Sequence, residues 1–188
     1  MYTVKENIVN ELIINKSRFI TYIYKVTNKE EIDNILNTLK KEYKDATHHC
    51  YAYVLGNLKK ASDDGEPSHT AGMPILNVLE NKELNNVLVV VIRYFGGIKL
   101  GAGGLVRAYS NSISKALDNT ILIPNIKEIK VQIEFNYPDI DNVNYILKDY
   151  KITYKEFDTN IIYEFIYEEN NYPENLDNYI IKKTVIMN

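Results

Sequence analysis

The sequence predicts a two-domain α+β chain, and three observations carry that prediction. Short alternating or wholly apolar runs interleave with segments that repeat apolar residues every three or four positions, so strands and helices share the chain. A proline-bearing stretch, residues 121–125, separates two such series. Residue types with special chemistry are confined to the first series, since every Gly, Arg, His and Cys lies between Arg18 and Arg107.

Taken in order, residues 8–14 and 19–26 are rich in β-branched and aromatic side chains and read as paired strands joined by residues 15–18. Asn28 is a good helix N-cap, with Glu31 three positions on as a capping box places it. Ile32, Ile35, Leu36, Leu39 and Tyr43 follow at helical spacing. Residues 50–55 read as a strand, residues 56–67 as a polar loop, and residues 71–80 as a short helix with Pro74 in its first turn. Residues 87–92 are apolar at every position, the pattern of a strand covered on both faces. A helix starts near Gly103, buries Leu105, Val106, Tyr109, Ile113 and Leu117, and ends by about Asn119.

Beyond the linker, Ile129, Val131, Ile133 and Phe135 alternate with polar residues as a half-buried strand. Pro138 opens a helix carrying Ile140, Val143 and Leu147. Strands at 151–157 and 161–167 flank an Asp158-Thr-Asn turn, Pro173 opens a last helix, and residues 184–187 form a final strand. The order β-α-β-β-α-β is ferredoxin-like. Expected domains are residues 1–122 and 126–188.

The 45% hydrophobic and 25% charged content is the balance of a chain that folds around a core. Its longest apolar run is strand length, well short of the ~18 residues of a membrane helix. The first residues lack the basic-then-apolar layout of a secretory signal. Cys50 has no second cysteine to pair with, which suits a reducing, cytoplasmic setting. Net charge is −3, which argues against coating nucleic acid by bulk charge. The sum hides an asymmetry. Residues 1–120 hold 15 Lys and Arg against 13 Asp and Glu, and the remainder holds 7 against 12.

Two stretches carry candidate chemistry. In Ser62-Asp-Asp-Gly-Glu-Pro, the carboxylates of Asp63, Asp64 and Glu66 are close enough to hold Mg²⁺, orient a water or accept from an Arg, although Asp-Gly and Glu-Pro are also plain turn dipeptides. The second stretch joins the buried strand to a helix through Gly96, Gly97, Gly101, Gly103 and Gly104. Such a junction admits an anion to backbone N–H groups, and Arg93, Lys99 and Arg107 surround it. The alternative is steric, with the glycines permitting close packing. Tyr94 and Phe95 flank the loop and would stack on bases if exposed. His48 and His49 open a strand on opposite faces, His48 sharing its side with Cys50. With Ser68, His69 and Thr70 they form a supporting set. A metal site would need a further ligand such as His69 or Asp63, and none is expected. A Cys50 or Ser68 nucleophile system can be drawn but has no nucleophile-elbow motif behind it.

These stretches together, with Thr47-His-His-Cys-Tyr-Ala-Tyr, Ser62 through Leu76, Val91 through Tyr109 and Lys16-Ser-Arg-Phe, resemble the YigZ/IMPACT family over residues 10–120. That resemblance implies an N-terminal βαβ fold like that of a ribosomal small-subunit protein and translation factors. It implies a C-terminal domain similar to one in elongation factor G. For eukaryotic members it implies translational control, through competition for the activator of a stress-responsive initiation-factor kinase. His69 stands where such proteins usually carry glycine.

The reading is a non-enzymatic, translation-associated regulatory or binding protein that contacts RNA, the ribosome or a translation-related protein. Arg93, Lys99 and Arg107 are expected to meet phosphates. Asp63, Asp64 and Glu66 are expected to form the opposite wall, or to hold Arg93 or Arg107 when no ligand is bound. The alternatives are an enzyme acting on a phosphorylated or carboxylated small molecule with those three acids, and a protein–protein adaptor. No cofactor is expected beyond Mg²⁺, and no membrane partner. A monomer is the favoured state.

Overall fold

A computed structural model describes residues 1–118 and 120–186. The chain divides into two compact units, Met1–Asn125 and Ile126–Asn188.

In the first unit, β2 (Ile8–Ile14) and β3 (Ser17–Lys25) form a hairpin. Its two turn residues, Asn15 and Lys16, both have positive φ (47° and 63°), as a tight hairpin turn demands. Helix α1 (Lys29–Glu42) starts as its sequence predicts. The Asn28 side chain accepts from the Glu31 amide, while the Glu31 carboxylate reaches back to the Thr27 amide at 2.8 Å.

Strands β4 (His48–Leu55) and β5 (Leu58–Ser62) follow. The expected polar loop over residues 56–67 is therefore corrected: its first half pairs with β4 as an edge strand whose lysines face solvent. Next come α2 (Gly72–Asn81), β6 (Val87–Tyr94) and α3 (Gly101–Leu117). Asn119, the expected end of this last helix, lies outside the described residues.

The sheet order is β2-β3-β6-β4-β5, with neighbours antiparallel. Strands β3 and β4 both run antiparallel to β6, so β3-α1-β4 is a β-α-β unit with β6 inserted between its strands. Helix α1 covers one face through Ile32 and Leu39 against Tyr53, Leu88, Val90 and Ile92. Helices α2 and α3 cover the other through Ile75, Leu79, Tyr109 and Ile113 against Cys50, Ala52, Val89 and Val91. Two covered faces explain why residues 87–92 of β6 are apolar throughout. Each such side chain taken from water contributes about 1.5–3 kcal/mol.

Residues 121–125 are not a bare linker, which corrects a second expectation. Within them β7 (Leu122–Pro124) pairs antiparallel with β1 (Tyr2–Val4).

The second unit holds β8 (Glu128–Phe135), α4 (Ile140–Ile146), β9 (Lys151–Phe157), β10 (Ile161–Glu168) and β11 (Lys182–Ile186). Its antiparallel sheet has the order β11-β8-β10-β9, which is the ferredoxin-like order 4-1-3-2. The expected last helix after Pro173 is only a 3₁₀ turn at Leu176–Asn178, preceded by Asn175 at φ 64°. Leu176 is its one buried side chain, too little apolar surface to hold a longer helix in place. Met187 of the expected final strand lies outside the described residues.

Candidate functional site

The acidic run and the end of β6 do meet, but in the interior. Glu66 and Arg93 are paired at 2.6 Å with side chains only 3% and 6% exposed. The same Glu66 Oε1 accepts from the Tyr109 hydroxyl at 2.8 Å, and Oε2 lies 3.7 Å from His48 Nε2. Arg93 also donates to Ser17 Oγ at 3.3 Å, and that oxygen accepts the Gly96 amide. The guanidinium lies 5.4 Å from the Phe19 ring centre and 5.7 Å from that of Phe95. Arg93 is thus held by Glu66, the arrangement the sequence offered beside a phosphate-facing one; it is the interior tie of β6 to the acidic loop. A charge so buried requires such a partner.

Asp63 is not an open wall either. Its carboxylate accepts the amides of His69, Ala71 and Gly72 at 2.8–3.0 Å, satisfying groups at the start of α2 that otherwise lack partners. Partial burial alone would raise the Asp63 pKa, but the amides of Gly72, His69 and Ala71 outweigh it and hold the carboxyl below its ordinary value. The close fit needs Gly72, because a Cβ there would stand 2.6 Å from the Ser62 nitrogen.

Asp64 departs furthest from expectation. With φ at 42° it turns to the α1 face of the sheet, where Oδ2 accepts the His49 amide at 2.7 Å and Oδ1 lies 3.9 Å from Lys40 Nζ. The two histidines follow the strand alternation. His48 Nδ1 donates to the Asp64 carbonyl, and His49 Nε2 donates to the Tyr43 carbonyl.

The drawn nucleophiles are poorly placed. The Cys50 thiol donates to the Asp63 carbonyl at 2.9 Å and sits 3.3 Å from Tyr109, and burial pushes its pKa far up, so no thiolate forms near neutrality. Burial raises the Tyr109 hydroxyl as well. Ser68 Oγ bonds its neighbour His69 Nδ1 at 2.9 Å on the exposed loop, and Thr70 Oγ1 donates to the Pro67 carbonyl. Among the described residues no three His, Cys, Asp or Glu side chains converge as a metal ion requires.

The glycines divide between the two readings. Gly96 is steric, since a Cβ would fall on the Lys16 carbonyl in the β2–β3 turn, and Gly104 packs on Leu100. Gly97 and Gly101 have φ of 84° and 69°, a backbone that favours glycine. Around Gly97, Gly101 and Gly103 the space is open. Here α3 begins with no side-chain cap and no acid in its first turn, beside exposed Lys99 and Arg107. Phe95, Ile98 and Val106 are exposed in the same stretch. Tyr94 is tied, its hydroxyl donating to Asp45 while Arg18 lies over its ring.

Sequence reasoning missed Tyr109, Ser17 and Phe19. Tyr109 stood among core residues, and its one signal was a hydroxyl at an inward helical position, which needs a partner when buried.

Fold and site together define a two-unit α+β protein whose first unit locks an acidic loop, a glycine-rich strand end and a helix around one interior ion pair. The chain belongs to the IMPACT family. The Impact N-terminal domain model matches residues 15–117. The Bacillus subtilis (strain 168) IMPACT family member YvyE is 39% identical over 173 residues, covering 89% of this chain and 80% of that one. Escherichia coli (strain K12) IMPACT family member YigZ is 42% identical over 109 residues, 55% and 53% of the two chains. A solved structure, described as a hypothetical protein, superposes with a TM-score of 0.66 at 30% identity, covering 88% of this chain and 84% of that one.

Proposed function

We propose that this chain is a translation-associated binding protein that takes RNA, free or in the ribosome, on the surface where α3 begins. One observation carries the reading: open glycines, an uncapped helix start and the exposed cations Lys99 and Arg107 occur together. Exposed Phe95 adds a ring on which a base stacks. The interior supports binding over catalysis, because Asp63 and Glu66 are engaged by amides, Arg93 and Tyr109. Arg93 then acts by holding the strand end in place, not by touching phosphate. Translation and a cytoplasmic setting come from the role the family resemblance implies. No described helix is long and apolar enough to cross a membrane.

A second reading has one observation in its favour. Ile98 and Val106 are exposed apolar side chains beside the cations, and they suit an acidic protein segment better than RNA.

The test is anisotropy titration of labelled single-stranded RNA at two salt concentrations, with wild type and the variant Lys99→Glu/Arg107→Glu. Affinity should fall with salt and drop at least tenfold in the variant. Salt-independent binding, or equal binding by the variant, overturns the RNA reading. Partner capture that survives nuclease favours the protein reading.

A further inference from the structure

The turn of Asp64 to the α1 face leaves a cavity that the loop surface does not use. It measures about 190 Å³ and is lined by Leu36, Leu39, Lys40, His49, Tyr51 and Asp64, among others. That is room for about six waters, the size of a small metabolite and below that of a drug-like ligand. Leu36, Leu39 and Tyr51 make an apolar wall, and two opposite charges stand with it, Asp64 Oδ1 and Lys40 Nζ, 3.9 Å apart.

We propose that this cavity binds a free α-amino acid with a small aliphatic side chain. The ammonium group goes to Asp64 Oδ1, the carboxylate to Lys40, and the side chain into the apolar part. Asp64 is prepared for this role. Its Oδ2 accepts the His49 amide and lies 3.6 Å from the His49 ring Nδ1, while Oδ1 has no hydrogen-bond partner among the described residues and stands 3.9 Å from Lys40 Nζ. His49 is itself pinned by the Tyr43 carbonyl, so the acceptor does not swing away. A left-handed backbone at a non-glycine residue is uncommon, and here it aims the carboxylate at α1. A bound zwitterion replaces one loose ion pair by two closer ones of the same polarity. The cavity lies across the sheet from the glycine loop, so this proposal stands apart from the RNA reading.

The experiment titrates L-leucine into the isotopically labelled full chain and follows backbone amide shifts. Saturable shifts should centre on residues 36–40, 48–51 and 63–65. 4-Methylpentanoate, which lacks the ammonium, and leucinamide, which lacks the carboxylate, should each bind at least tenfold more weakly than leucine. Lys40→Gln should lose at least tenfold in affinity without a change in thermal midpoint, because Lys40 is exposed and tests the site without threatening the fold. Asp64→Asn should lose as much. Absence of saturable shifts overturns the proposal. So does wild-type affinity in Lys40→Gln, or a half-ligand that binds as tightly as leucine. A leucyl dipeptide that binds as tightly as leucine overturns the free amino acid as ligand in favour of a peptide N-terminus.

Discussion

The interior pair makes a sharp prediction. Glu66→Gln keeps the shape and leaves Tyr109 an acceptor, but removes the charge that Arg93 faces at 2.6 Å. With Arg93 only 6% exposed, water cannot take the carboxylate's place. Breaking a buried pair from one side costs about 3–5 kcal/mol. Against a typical stability of about 5–15 kcal/mol, that is a large fraction. Arg93→Met in the same background removes the stranded charge, so the double variant should be more stable than Glu66→Gln alone. A double-mutant cycle should return a coupling of at least about 2 kcal/mol. The assay is equilibrium urea unfolding. Tyrosine fluorescence and amide signals are read separately, since two units need not unfold together. A Glu66→Gln penalty below about 1 kcal/mol would refute the reasoning. It would mean that Arg93 finds solvent, and the surface above it would then have no fixed base.

Asp63 predicts an acid-side effect. Its folded-state pKa is depressed because three amides overcome a burial that alone would raise it. Its contribution is therefore complete above the ordinary Asp value of about 3.9 and is lost as pH falls through the lower folded value. Asp63→Asn should lower the urea midpoint at neutral pH and flatten its fall between pH of about 4 and 2, and an unchanged acid limb would contradict the capping role. The glycines predict opposite signs. Gly96→Ala should destabilise by several kcal/mol, because the Cβ meets Lys16 backbone. Gly103→Ala, in open space within α3, should stabilise by about 0.5–1 kcal/mol by thermal unfolding while weakening RNA. If Gly103→Ala bound RNA unimpaired, the glycine would have no part in ligand approach.

Much of the fold was legible because its signals are local. The Asn28–Glu31 cap, the apolar run over residues 87–92 and the β-α-β-β order that opens the second unit each depend on neighbours in sequence. Strand β5 was not legible, because Leu58-Lys-Lys-Ala-Ser has the composition of a guarded edge and a loop alike. Strands β1 and β7 are three residues each and exist only through a pairing of distant segments. At the site, the residue types were found but their directions were not. Asp63, Asp64 and Glu66 are near neighbours that end at a helix cap, the far face of the sheet and the core. Backbone conformation at Asp64 and Gly65, with φ of 42° and 86°, decides that fan, and composition does not encode it.

The small β1–β7 sheet has a practical corollary. The matched family region, residues 15–117, includes neither of its strands. A fragment cut at those limits would also remove Tyr2, which exchanges backbone hydrogen bonds with Glu83 and Asn85, and would take fully enclosed Val4 from the core cluster that holds Leu84. Residue 125 is the safer place to end such a fragment, since its amide still donates to the Met1 carbonyl.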